Sequence, residues 1–378
     1  MPTSYLGSLS ARSKELISSA REAYLERLDS ADIPASQRTI LLRIAGVHSS
    51  AMASTGGRSD IDVSEEDGAL SLPYTKRMLK WLAEGVGRGL ELAGGHETPK
   101  DVRELLALLI NNLGEIYLET ALDAATESAT AQESNTKSEP DFSYINDLRS
   151  SISILHLLLI TIQTLLLPLA ASNLTIRRDL EKTTNKFVDR MEAKIDTVLQ
   201  KTIDSALGWT SRLLAQQKKT DFRPRDDTQL QLDQLQTPTC LAIYTFLAKL
   251  RSNVANTLSG RVLEGFSLEL ALGLRSLLLV HFRSYQVSLT GGLIVSKDMT
   301  KYIELLRSFK PPNNFNPSLE VLTEIANLFV IGPEALRERL RGVGSASLAG
   351  IERNDLRPYV LRREDAGSVG VQSLLSAL

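Results

Sequence analysis

The chain has 378 residues, 43% hydrophobic and 23% charged, with a formal net charge of −2. This is a soluble globular balance that leaves no electrostatic footprint for nucleic acid. Aromatics make up only 5% while leucine and alanine abound, so the core is expected to be aliphatic and to suit helix-on-helix packing.

A single cysteine, Cys240, excludes an internal disulfide and points to the reducing cytosol. His48, His96, His156 and His281 lie far apart, without metal-ligand spacing, so no metal and no cofactor are expected. Met1-Pro2-Thr3-Ser4 opens without a basic region or an apolar run, and no signal peptide is expected.

In chain order, Ser10 to Asp29 predicts a helix, with Leu9, Leu16, Ala20, Ala23, Tyr24 and Leu28 on one side. Ile33-Pro34 ends it, and Ser36 caps a second helix through Ile40, Leu41, Ile44 and Val47. Ser54 to Ser71 turns polar and predicts a loop. Leu72-Pro73 opens a third helix carrying Met78, Leu79, Trp81, Leu82 and Val86, which Ala93-Gly94-Gly95 stops. Thr98-Pro99 begins a fourth through Leu105, Leu108, Leu109, Ile116 and Leu122. From Thr126 to Pro140 the composition falls to Ser, Thr, Ala, Glu, Gln and Asn, which predicts a solvated linker and a domain boundary.

Between Arg149 and Arg177 there is no charged residue. By length this run passes as a membrane span. His156, Gln163, Thr161, Thr164 and Pro168 and the lack of aromatic belts argue instead for a core helix of a bundle. Ile176 to Gln216 then predicts one very long helix, its seam at Phe187, Met191, Ile195, Val198, Thr202, Ala206, Trp209 and Leu213. At 1.5 Å per residue it would run roughly 60 Å, a length suited to rods of stacked helices.

Phe222-Arg223-Pro224 predicts a turn and Arg225 to Gln236 a polar run. Helices follow from Pro238 to Leu258 and from Val262 to Val287, with Gly260 between them. Gly291-Gly292 predicts a sharp break, and Asp298 the start of a short helix that ends near Phe309 before Pro311-Pro312. Shorter helices are expected from Pro317 through Leu328, over Glu334 to Arg341, over Asp355 to Glu364 and over Val369 to Leu378. No hairpin signal and no fixed repeat period is present, so the fold class is all-α.

No catalytic constellation stands out. Gly85-Val86-Gly87-Arg88-Gly89 lacks the strand a phosphate-binding turn requires, and is assigned to close helix packing. Cys240 sits among apolar residues as an inert thiol, and His281 belongs to the core or its boundary. Asp226-Asp227 lacks the alternating spacing of a calcium loop. Three basic groups occur: Lys218, Lys219, Arg223 and Arg225; Arg337, Arg339 and Arg341; Arg357, Arg362 and Arg363. Acids near them, among them Glu334, Glu338 and Glu364, mark them as solvated, paired faces, with weak contact to an anionic membrane surface as the functional alternative.

Several blocks share one order: Met191 to Asp196, Gln216-Gln217-Lys218-Lys219-Thr220-Asp221-Phe222-Arg223-Pro224, Glu269-Leu270, His281-Phe282, Tyr285, Ser288, Gly291-Gly292, Asp298, Tyr302, Leu328-Phe329-Val330, Pro333-Glu334, Leu336 and Leu361 to Asp365. That order resembles the C-terminal half of the Sec-ten family of exocyst subunits (exocyst component five), and Leu79 to Arg88 resembles the middle of the same family. The resemblance runs from about Leu72 onward, and the block ending in Pro224 is its most specific piece.

The resemblance implies an elongated rod of antiparallel helical bundles without enzymatic activity. It implies a cytoplasmic subunit, peripheral to the plasma membrane, that acts with other exocyst subunits to dock secretory vesicles. No small-molecule substrate and no nucleic acid is expected. Family members are longer and carry an N-terminal coiled coil that docks the subunit to its neighbour, so the chain is expected to be either a fragment of a longer gene product or a truncated paralogue. A sister family, the fungal recyclins, places an F-box before a similar helical region and supplies an alternative role in endosomal recycling. A helical protein anchored through residues 150–176 is a further alternative.

The expected organisation is therefore residues 1–125 as part of an N-terminal bundle, 126–141 as a polar linker and 142–378 as C-terminal bundles. The expected interaction site or hinge is Lys218, Lys219, Asp221, Phe222, Arg223 and Pro224.

Overall fold

A computed structural model describes residues 72–92, 99–135, 137–224, 236–312, 315–341 and 353–376. The helices expected within 10–29 and 36–47, the loop at 54–71, the stop at Ala93 to Gly95, the Thr98 cap, Arg225 and the Asp226-Asp227 pair lie outside the described residues, as does nearly all of the polar run ending at Gln236.

Among the described residues the backbone is all-α. Helices α1 (Leu72–Leu92) and α2 (Pro99–Leu109) come first. The chain then widens into a π-helical stretch, Ile110–Glu119, and returns to α geometry in α3 (Thr120–Ser134). Helix α4 (Ile145–Thr161) ends through a π turn, Ile162–Leu166, and a 3₁₀ turn at Pro168–Ala170. Helix α5 (Leu174–Ala215) has 42 residues. There follow α6 (Pro238–Thr257), α7 (Gly260–Phe282), α8 (Leu289–Ser308), α9 (Asn316–Val330), α10 (Pro333–Arg341), α11 (Arg353–Val360), a 3₁₀ turn at Glu364–Gly367 and α12 (Val369–Leu375). The only strand-like pairing described is an isolated parallel bridge between Val287 and Arg363.

The chain divides into two compact units. One comprises residues up to Gln132 together with Ser143–Lys201; the other comprises Glu133–Phe142 together with Thr202–Leu378. Helix α5 contributes to both. Its buried seam is Leu180, Phe187, Met191, Ile195, Val198, Thr202, Ala206, Thr210 and Leu214. The expected seam holds as far as Ala206. It then passes to Thr210 and Leu214 rather than Trp209 and Leu213, because the last steps are all of four residues and drift around a 3.6-residue turn.

In the first unit, Phe187 of α5 presses its ring against Gly114, where a Cβ would stand 2.7 Å from the ring edge. Gly114 lies in the π stretch, so the widened backbone and the missing side chain together admit the ring. Beside it runs a ladder of ion pairs: Arg103–Asp179 at 2.8 Å, Arg190–Glu115 at 3.0 Å, Arg190–Glu119 at 3.2 Å, Lys194–Glu119 at 3.1 Å, and Lys194–Asp123.

Helix α4 buries one continuous seam, Ile145, Leu148, Ser151, Ile154, Leu155, Leu158, Ile162, Leu166 and Leu169. Its other side is half-buried or exposed, with His156, Ile160, Gln163 and Thr164 outward. Thr161 and Thr164 return their hydroxyls to the carbonyls of Leu157 and Ile160. The run is long and apolar enough to cross a membrane by length and composition, and so is Asp101–Ser134.

Several sequence expectations are corrected. The stretch expected as a solvated linker from 126 to 141 is helical as far as Ser134, with Ala129 fully buried. Alanine-rich composition reads as low complexity, yet alanine is the strongest helix former and here it packs. Helix α7 stops at Phe282 rather than Val287, because Arg283 and Ser284 turn and Val287 enters the bridge. Gly291 and Gly292 do not break the chain; they lie in the first turn of α8, and Asp298 sits in the middle of that helix rather than at its start. Gly87 faces open space, so it is not the close packing contact expected of it.

Candidate functional site

The block from Gln216 to Pro224 ends α5 and lies wholly in the second unit. The helix closes through Gln216 and Gln217, whose N–H groups donate to Leu213 and Leu214. Asp221 N–H then donates to Lys218, and Arg223 N–H to Thr220, making successive turns before Pro224.

Those turns drive Phe222 into the core, where it is 0% exposed. Its ring lies 5.6 Å from Phe282 and 5.5 Å edge-on from Tyr285. Its carbonyl accepts from Ser288 N–H at 3.0 Å. Gly291 passes so close that a Cβ there would stand 1.8 Å from the same oxygen. Gly292 meets α9 likewise, with a Cβ position 2.5 Å from the Phe329 carbonyl. The two glycines are therefore seats for neighbouring backbone.

A buried polar chain links the helix end to α6 and α8. Gln217 donates its amide to Asp221, and Tyr285 O–H donates to the Gln217 carbonyl at 3.4 Å. The Gln217 side-chain oxygen stands 3.4 Å from the Thr237 hydroxyl. Thr237 caps α6: its hydroxyl oxygen accepts from Cys240 N–H at 3.2 Å. The same hydroxyl donates to Asp298 at 2.7 Å, and the Thr237 N–H donates to the other carboxylate oxygen at 2.9 Å.

Asp298 is 1% exposed. Burial raises its carboxyl to about 6, the two Thr237 hydrogen bonds pull the other way, and Asp221 adds a small upward push. Burial also lifts the Cys240 thiol well above its usual range and lowers His281 to about 4. His281 stacks on Tyr285 at 4.7 Å. The thiol is buried, as expected from sequence, and its raised pKa disfavours the reactive thiolate.

The far side is closed by the C-terminal segment. Val287 N–H donates to the Arg362 carbonyl and Glu364 N–H donates to Val287, both at 2.9 Å. Arg363 is 4% exposed. It donates to the Leu328 and Ile331 carbonyls, where α9 ends, and pairs twice with Asp365 at 2.8 Å. That guanidinium holds the Asp365 carboxyl below its usual range. Arg223 reaches Glu364 at 3.3 Å on the surface.

Of the six residues singled out in sequence, Phe222 is buried, Asp221 and Pro224 are half-buried, and Lys218, Lys219 and Arg223 are exposed. Sequence reasoning missed Thr237 and the burial of Asp298. The signals were present: Thr237-Pro238 is a cap followed by a first-turn proline, and Asp298 stands between Val295 and Tyr302 on an apolar face. Among the described residues no group of His, Cys, Asp and Glu could hold a metal ion. The geometry is that of a joint clamping one helix end to α6, α8 and α9.

The family model described as "Exocyst complex component Sec10-like, alpha-helical bundle" matches residues 2–375. The chain belongs to the Sec10-like exocyst component family. The match reaches past Leu72 to the N-terminal residues that the sequence resemblance did not cover. Exocyst complex component SEC10 of Saccharomyces cerevisiae is 29% identical over 324 residues, covering 85% of this chain and 36% of that protein. Exocyst complex component 5 of Homo sapiens is 23% identical over 297 residues, 78% of this chain and 40% of that protein. The rice (Oryza sativa subsp. japonica) relative of the same name is 28% identical over 301 residues, 79% of this chain and 35% of that protein. The matched part is thus less than half the length of these relatives. All three carry the exocyst name, which favours that family over the recyclin alternative.

Proposed function

We propose that this Sec10-like chain is a non-catalytic part of the exocyst that helps dock secretory vesicles at the plasma membrane in polarised exocytosis. The observation that carries the reading is the family match over 2–375 on an all-α bundle. Long amphipathic helices suit this work because their outer faces offer extended binding surfaces rather than a pocket. The chain's partners are other exocyst subunits, and its place is cytoplasmic and peripheral to the membrane at secretion sites.

The clamped end of α5 fits a load-bearing joint. Lys218 and Lys219, exposed beside it, are the residues offered to a partner or to an anionic membrane surface. Helix α4 is a bundle helix in this reading, since its seam is buried along its whole length. Affinity purification of the tagged chain from its own cells tests the assignment. Co-recovery of other exocyst subunits is expected; their absence under conditions that preserve the complex would overturn it. Carbonate extraction tests α4 separately: release into the supernatant is expected, and retention in the membrane pellet would establish an integral anchor.

A further inference from the structure

The three basic groups of the sequence have different fates. Arg339 is held by Glu324 on α9, and Arg223 by Glu364. Arg363 goes inside. The other two of the third group, Arg357 and Arg362, are joined in space by Arg283 at the end of α7, and together with Pro358 and Leu361 they line an open cleft of about 460 Å³. That volume lies in the range of small-ligand sites, about 300–1,000 Å³.

Two of the guanidinium groups are anchored through Nε. Arg283 Nε donates to the Tyr359 hydroxyl at 3.2 Å, and its guanidinium lies 5.2 Å from the centre of the same ring. Tyr359 is fixed in turn by donating to the Leu279 carbonyl at 3.0 Å. Arg362 Nε donates to the Arg283 carbonyl at 2.7 Å. Anchoring at Nε leaves the terminal nitrogens as donors, and their side-chain entropy is already spent.

The bland alternative is that these arginines only offset the carbonyl ends of α7 and α11. Two helix ends carry about one unit of negative charge between them, and three guanidiniums carry three positive charges. A surplus of about two remains. Among the described residues the neighbouring acids do not remove it: Glu364 is taken by Arg223, Asp365 by Arg363, and Asp355, in the first turn of α11 and close enough to act on Tyr359, offsets at most one unit.

We propose that this cleft binds a multiply charged phosphate ester of the inositol phosphate type, with Arg283, Arg357 and Arg362 as its donors. The proposal goes beyond the tethering role and does not rest on it. The same phosphate chemistry occurs on a free inositol phosphate and on a lipid headgroup. Val280, 62% exposed one turn before Arg283, and Leu361, 45% exposed in the cleft wall, would abut a bilayer if the headgroup is the source.

The test is calorimetric titration of the full chain with inositol hexakisphosphate and with inorganic phosphate. Flotation with phosphatidylcholine vesicles, bare or carrying either phosphatidylserine or a phosphorylated phosphatidylinositol, runs alongside. Saturable binding of the inositol phosphate that weakens about tenfold or more in Arg357→Ala is expected. The same change at Arg251, exposed on α6 away from the cleft, is expected to leave it unaltered. Among the described residues the Arg357 side chain makes no hydrogen bond or ion pair, and an unchanged melting temperature checks that the fold is intact. Preference for phosphoinositide over phosphatidylserine vesicles assigns the lipid source, and binding of the soluble ligand alone assigns the free one. Absence of binding, or binding equally weakened by Arg251→Ala, would overturn the proposal, while co-purification with exocyst subunits would stand untouched.

Discussion

The first-unit part of α5 and its C-terminal end are held by opposite kinds of chemistry. In the first unit Arg190 and Lys194 face Glu115, Glu119 and Asp123 across a half-exposed ladder, over the Phe187–Gly114 contact. In the second unit the helix end is fixed by a buried ring, two glycine seats and a polar chain through Thr237 to Asp298. A ladder of solvated charges can lose one rung at little cost, since each exposed pair contributes about 0.2–1 kcal/mol. A buried joint cannot, because removing one partner leaves a cavity or an orphaned polar group.

The sharpest way to break the comparison is Phe222→Ala, expected to cost about 3–5 kcal/mol in a denaturant titration. Gly291→Ala comes next at about 2–3 kcal/mol, because its Cβ would meet a backbone carbonyl that cannot rotate away. Hydrogen exchange should locate both losses around 216–224 and 288–302, leaving the protection of 110–123 nearly unchanged. Loss spread evenly over both segments would mean the joint is not a local unit.

Acid titration sharpens the contrast further. Asp298 is raised from 3.8 to about 6, so between about pH 4 and 6 it holds a proton in the folded chain but not in the unfolded one, and acidification through that window stabilises. His281 is lowered from 6.5 to about 4, so over the same window it stays neutral when folded and charges when unfolded, and acidification destabilises. The two nearly cancel. Relative to the unaltered chain, Asp298→Asn should lose stability on acidification by up to about 1.4 kcal/mol per pH unit, and His281→Gln should gain by a similar slope. Identical slopes in all three proteins would show that neither group titrates this way. The smallest effect belongs to the ladder: Glu119→Gln should cost about 1 kcal/mol or less in dilute buffer and almost nothing in molar salt.

Much of the architecture was legible because α5 repeats its apolar steps over eleven turns, and because caps and prolines mark α1, α6 and α9. Phe222 was legible only through family resemblance; nothing in its composition separates it from a surface turn. Asp298 was misread as a helix start because aspartate favours that position, and only tertiary contact with Thr237 shows it to be buried. Gly291 and Gly292 were misread for a similar reason: glycine breaks helices on average, but here it permits a neighbour's approach. The Arg283–Arg357–Arg362 cleft gathers residues more than seventy positions apart, which no local pattern reveals.

The division of the chain has a consequence for anyone wishing to cut it. Residues 133–142 belong with the second unit although they precede the last third of the first. Phe142 stacks on Phe246 at 6.0 Å, Arg212 reaches back to the Asn135 carbonyl, and Lys249 pairs with Glu139. The polypeptide therefore visits the second unit, returns to the first and comes back again. No single scission can part the two units cleanly, and a protease acting at 135–144 should wound both while freeing neither. For a ribosome making this chain, the second unit's earliest piece must wait about sixty residues for α5 to supply its partners, a delay that lengthens the loops to be closed.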